Sequence, residues 1–131
     1  MSIFDTARFV ISAAKLYGLP EETVPEIAFA GRSNAGKSTS INVLTRKTRL
    51  AFASKTPGRT QLINFFGISA RDENRQPYDV GYLVDLPGYG FAKASEDTRK
   101  TWSQLVGGYI AQRQAMTGLV IVMDARRPFM P

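Results

Sequence analysis

The chain has 131 residues, 44% of them hydrophobic and 21% charged, which fits one ordinary globular domain with a true core. It contains no cysteine and no histidine, so disulfides, thiolate metal sites and any imidazole base or ligand are excluded among these residues, and a reducing, cytoplasmic setting is expected. Seventeen lysines and arginines against eleven acidic residues give a net charge of +6, which suits anionic partners without specifying one.

Residues 1–24 read as a mixed lead-in to a domain spanning 25–131, with Pro20 and Pro25 punctuating its end. Residues 8–14 fit a short strand or helix packed on the domain edge. The apolar stretch from Phe9 to Ala14 is too short to span a bilayer and lies between Arg8 and Lys15, so neither a targeting segment nor a membrane span is expected. A first core strand is predicted over 26–30, followed by Gly31-Arg32-Ser33-Asn34-Ala35-Gly36-Lys37-Ser38 and a helix over 37–46. That octapeptide is a complete G-x-x-x-x-G-K-[ST] phosphate loop, set between strand and helix as its chemistry requires. Glycines at 31 and 36 let the backbone turn tightly and aim amide N–H groups inward at a helix N-terminus. Lys37 is expected to reach the β- and γ-phosphates of a nucleotide, and the Ser38 hydroxyl to hold Mg²⁺. The alternative is a glycine-bearing surface turn that happens to contain Lys-Ser; the flanking elements argue against it.

Arg46-Lys47-Thr48-Arg49 comes next, then a loop dominated by Ser54, Thr56, Pro57 and Gly58. Pro57-Gly58-Arg59-Thr60 lies where a switch loop belongs, ordered by a triphosphate and released after hydrolysis. Thr60 is preferred over Thr56 as the Mg²⁺ and γ-phosphate group because it directly precedes a strand; an ordinary Pro-Gly turn is the alternative. The strand is predicted from Gln61 to Ile68, followed by a polar turn over 71–77 and a second strand from Tyr82 to Asp85. So short a link favours an antiparallel hairpin. Asp85-Leu86-Pro87-Gly88 then supplies D-x-x-G: a carboxylate for the Mg²⁺ shell and a Gly88 amide that senses the γ-phosphate. This pattern is weak alone and strong downstream of a phosphate loop and a hairpin.

A helix is predicted after Ala94, with Ser95 as N-cap and Glu96 and Asp97 complementing the dipole in its first turn. Trp102, Leu105, Val106, Tyr109, Ile110 and Met116 follow helical spacing as a core stripe that Arg113 alone breaks. Gly107-Gly108 inside it costs about 1 kcal/mol per residue relative to alanine, so something is expected to pack closely there. Gly118 suits the helix stop. Leu119-Val120-Ile121-Val122-Met123 reads as a strand buried on both faces.

Taken together, Gly31 to Ser38, Thr56 to Phe66 and Val84 to Gly90 resemble the YihA/EngB/YsxC family, bacterial GTPases linked to large-ribosomal-subunit assembly and to cell division and septation. The resemblance runs from about Phe9 to Arg127. It implies an α/β, three-layer P-loop GTPase fold with a mostly parallel sheet and one antiparallel hairpin strand. It implies GTP or GDP on the loop of residues 31–38 and Thr39, with switch contacts from Gly58, Arg59, Thr60, Gln61 and Leu62 and from Asp85, Leu86, Pro87 and Gly88. Mg²⁺ would be held by Ser38, Thr60 and Asp85. Catalysis would be positioning and charge stabilisation by Lys37, Thr60 and Gly88, with no protein general base. The implied protein is a cytoplasmic monomer whose partner is a large ribosomal subunit precursor, rRNA and ribosomal proteins, and not DNA. Arg46, Lys47, Arg49, Lys55, Arg59, Arg126 and Arg127 are candidates for rRNA phosphates, with a solvated face as the alternative for each.

Two departures shape what carries over. Ras-like enzymes place a water-orienting glutamine directly after the D-x-x-G glycine; here that place is Tyr89, so slow unassisted hydrolysis is expected, relieved by a partner or a monovalent cation. Gln61 belongs to the other switch. Asn34 matches the loop asparagine that K⁺-dependent relatives use as a ligand, a mere loop-closing side chain being the alternative. The family also continues with [NT]-K-x-D, which reads guanine, and with two more core strands. Neither is found in these residues, so a C-terminally incomplete domain is expected, with the strand at 119–123 as a bared apolar edge. Two other readings stand beside the GTPase: a non-catalytic nucleotide- or rRNA-binding module, and an ATPase or kinase, against which Asp-Leu-Pro-Gly argues.

Overall fold

The structure, a computed structural model, describes residues 2–32, 36–51, 61–88 and 96–123. Strand β1 spans Arg8–Ala13, β2 Glu26–Gly31, β3 Ile63–Arg71, β4 Pro77–Asp85 and β5 Met116–Val122; helix α1 spans Lys37–Thr45 and α2 Glu96–Gln112. The five strands form one sheet in the order β1-β3-β4-β2-β5. Strand β2 is parallel to both β4 and β5, whereas β3 is antiparallel to both β1 and β4. Four strands therefore run one way and β3 alone runs against them, the arrangement expected of a mostly parallel sheet with one hairpin strand.

The hairpin forms because its turn is closed locally. The Asp72 carboxylate accepts the N–H groups of Asn74 and Gln76, and Arg75 adopts a left-handed backbone at φ 63°. Arg71 donates to the Arg75 carbonyl at 2.7 Å, bracing the turn from outside.

Alternating side chains divide the core into two layers, as a pleated strand demands. Phe65, Val84 and Ala28 face one side, with Leu105, Val106 and Tyr109 of α2. Phe66, Leu83 and Phe29 face the other, with Ile41 of α1. Helices on both faces of a largely parallel sheet make the α/β three-layer architecture. The short 3₁₀ turn at Leu16–Gly18 packs on α2: a Cβ at Gly108 would lie 2.5 Å from Leu16 Cδ1. The close approach expected of the glycine pair is thus made at Gly108, while Gly107 faces open space.

Five expectations are corrected. Gly118 does not stop the helix; α2 ends at Gln112, and Gly118 lies within β5 beside Ile27. Met116 belongs to β5 and not to the helical stripe, although it packs on the same cluster. Ile110 is exposed, because it lies at the flank of the helix face that Leu105, Val106 and Tyr109 bury. Arg113 does not break the buried face but completes it. Its guanidinium lies 2.7 Å from the Glu26 Oε2 atom, donates to the Pro20 carbonyl and sits over the Phe65 ring. Tyr109 donates its hydroxyl to the other oxygen of Glu26 at 2.8 Å, so a fully buried carboxylate is satisfied on both sides.

The run from Leu119 to Met123 is also not buried on both faces. Strand β5 pairs only with β2 among the described residues, and Ile121 and Met123 are more than half exposed. A continuous apolar run reports what a strand is built to bury; among the described residues no strand covers its outer edge.

Candidate phosphate-binding site

The site forms where β2 and β4 end side by side. Phe29 and Asp85 are in register, and the Leu86 N–H donates to the Phe29 carbonyl at 3.1 Å, extending the ladder one residue beyond the strand. Asp85 also pairs in register with Asn64 on β3, so three strands fix its backbone. The chain leaves β2 through Gly31 and Arg32, and Gly36 takes a left-handed backbone at φ 87° immediately before α1 begins. Its carbonyl accepts from the Ser40 N–H at 2.9 Å, giving the helix its first bond.

Two glycines are required there for different reasons. At Gly31 a Cβ would stand 2.8 Å from the Val122 carbonyl oxygen, because β5 presses its end against β2. At Gly36 there is open space, but the positive φ disfavours any L side chain.

Lys37 reaches back from the first turn of α1 and forms an ion pair with Asp85 Oδ1. Only 10% of the lysine side chain and 5% of the aspartate side chain are exposed. Burial pushes the Asp85 carboxyl above the usual carboxylate range, and Lys37 opposes this by charge and by hydrogen bonding. The two residues singled out in separate motifs, 48 positions apart, are thus brought together.

Ser38 is half-buried in the same helical turn, whereas Thr39 is exposed. Arg32 is half-buried at the end of β2. Gln61 and Leu62 lie just before β3, half-buried and exposed respectively. Leu86 is wholly buried in the cluster under α2, anchoring the D-x-x-G segment. Pro87 and Gly88 are half-buried. Ser33, Asn34, Ala35, Lys55, Thr56, Gly58, Arg59, Thr60, Tyr89, the cap Ser95, Arg126 and Arg127 lie outside the described residues.

The residues fit Mg²⁺ by the chemistry of their donors. Asp85 and Ser38 offer hard oxygens, and Mg²⁺ is commonly held by one or two carboxylates completed by phosphate and water. Among the described residues no group of three histidine, cysteine or acidic side chains could cage a metal without such help. Sequence reasoning missed one participant. Trp102 packs on the core cluster, as its helical spacing predicts, and its indole N–H also donates to the Pro87 carbonyl at 2.8 Å. Its signal is the polar handle itself, since a tryptophan drawn into a core has to find an acceptor.

Comparison with known proteins agrees with this geometry. Residues 26–131 match the family model described as 50S ribosome-binding GTPase. The chain is 56% identical over 130 residues to a probable GTP-binding protein EngB of Ralstonia pickettii, covering 98% of this chain and 54% of that protein. It is 52% identical over 128 residues to one from Dechloromonas aromatica, with 98% and 54% covered. For one from Bordetella pertussis the figures are 50% over 127 residues, with 97% and 60% covered. The chain spans a little over half the length of these relatives. By its loop, its sheet order and this match, the chain belongs to the 50S ribosome-binding GTPase family, as its resemblance to the YihA/EngB/YsxC group implied.

Proposed function

We propose that this chain is the phosphate-binding part of a Mg²⁺-dependent GTP-hydrolysing switch that acts on the large ribosomal subunit during its assembly. The observation that carries the reading is the meeting of Lys37 and Asp85. One comes from the phosphate loop, the other from D-x-x-G, and each holds the other's charge where a nucleotide and its metal would take over. Lys37 would then turn to the β- and γ-phosphates, Asp85 and Ser38 with Thr60 would hold the metal, and the Gly88 amide would meet the γ-phosphate. When bound there, Mg²⁺ would supply neutralisation of the phosphate charge. The chain's own task is to orient the phosphates and keep the lysine and carboxylate in register on adjoining elements.

With Tyr89 in place of a water-orienting glutamine, hydrolysis is slow until a ribosomal surface or K⁺ at Asn34 assists it. The protein acts as a cytoplasmic monomer, and the family role extends to cell division and septation. Among the described residues no helix is long and apolar enough to cross a membrane. The test is phosphate release from GTP, with and without large ribosomal subunits, in K⁺ and in Na⁺. Stimulation by the subunits is expected; equal basal and stimulated rates contradict the switch, and equal rates in the two salts contradict the K⁺ site. Titration with ATP in place of GTP separates the GTPase from an ATPase or kinase.

A further inference from the structure

Beyond Leu86 the D-x-x-G segment leaves the sheet. Leu86 makes the last ladder bond, to Phe29, and Pro87 has no N–H with which to continue it. The Pro87 carbonyl is instead taken by the indole N–H of Trp102, from the second turn of α2. That helix is a fixed platform, because Leu105, Val106 and Tyr109, the next residues on its inner face, are buried under the sheet.

The Pro87 carbonyl and the Gly88 N–H belong to one peptide unit. A peptide is planar, and none of the described peptide bonds is cis, so its C=O and N–H point in opposite directions. Fixing one fixes the other. A donor on the carbonyl also polarises the unit and makes its N–H a better donor. We infer that Trp102 is a positioning residue for the γ-phosphate: by holding the Pro87 carbonyl it aims and strengthens the Gly88 amide and ties α2 to the nucleotide state. This rests on the function proposed above.

The effect falls on the γ-phosphate alone, since a diphosphate leaves the Gly88 amide without its ligand. Trp102 is the chain's one tryptophan, so growth of a tryptophan auxotroph on β-(3-benzothienyl)alanine replaces only this indole. The analogue keeps the ring volume and puts sulfur where the N–H was. Calorimetric affinities for GDP and for a non-hydrolysable GTP analogue are compared in the natural and substituted chains, with Trp102→Phe alongside. The expected result is a shift of the GTP-analogue-to-GDP affinity ratio by about five- to tenfold against the triphosphate, the loss of one net hydrogen bond, with GDP affinity unchanged. An unchanged ratio overturns the inference and leaves the nucleotide site standing. A parallel fall of both affinities also overturns it, because it marks a packing role. Absence of nucleotide binding in the natural chain overturns this inference and the proposed function together.

Discussion

Lys37 at the start of α1 and Asp85 at the end of β4 form an ion pair almost closed to water. Among the described residues neither charge has a comparable partner if the other is removed. Lys37→Ala should therefore destabilise the nucleotide-free chain by about 3 kcal/mol or more, by leaving a buried carboxylate unpaired. The Lys37→Met, Asp85→Leu double variant should recover much of that loss. Urea denaturation of Lys37→Met, Asp85→Leu and the double variant measures the coupling, and additive losses would contradict a shared buried pair.

Gly36→Ala and Gly31→Ala should fail in different ways. The first has room but the wrong backbone, so a loss of about 1–2 kcal/mol is expected, with weakened nucleotide binding. The second drives a methyl into the Val122 carbonyl and should displace the end of β5, with the larger loss of stability. Thermal denaturation ranks the pair; a milder effect at Gly31 would contradict the close approach of β5.

At the opposite end of β2, Glu26 is held by Arg113 and Tyr109 with no exposure to solvent. Arg113→Leu should cost about 3–5 kcal/mol by orphaning that carboxylate, while nucleotide affinity of the folded protein stays unchanged. Burial, and then donation to Glu26, push the Tyr109 hydroxyl above its ordinary value of 10.0. A raised folded-state pKa means that this contribution is fully present below about pH 10 and is lost as pH rises above it. The stability difference between the wild type and Tyr109→Phe should accordingly shrink between pH 9 and pH 11 in paired denaturation curves. A constant difference would contradict the buried hydrogen bond.

Val120 and Ile121 of β5, and Met123 just after it, are exposed to solvent, and no strand lies beyond β5 among the described residues. A charge there should block edge-to-edge pairing. Ile121→Lys is expected to lower concentration-dependent light scattering with little change in stability; unchanged scattering would point away from this edge.

The elements that build the site were legible because their signals are local. Gly31, Gly36, Lys37 and Ser38 fall at fixed spacing between an apolar strand and a helix, and 26–31 and 37–45 form those elements within a residue of expectation. The hairpin followed from the short polar turn expected over 71–77, and the antiparallel register of Asn64 with Asp85 bears it out, although Arg71 and Pro77 themselves belong to the strands. What escaped depends on distant partners. Arg113 reads as a polar interruption until Glu26, 87 positions away, is seen beneath it. The apolar run from Leu119 to Met123 signals burial, but which strand lies outside it is a matter of topology. Trp102 reads as core because helical spacing records which face is buried and not what the indole N–H reaches.

The central claim is that the loop closed by Gly36 and Lys37 binds the phosphates of a guanine nucleotide in concert with Asp85. Isothermal calorimetry of the folded chain with GDP and a non-hydrolysable GTP analogue in Mg²⁺, repeated on Lys37→Ala, tests it most directly. Saturable binding in the wild type, abolished in the variant, is the predicted result. No heat with any nucleoside di- or triphosphate, or equal binding by Lys37→Ala, would contradict the account.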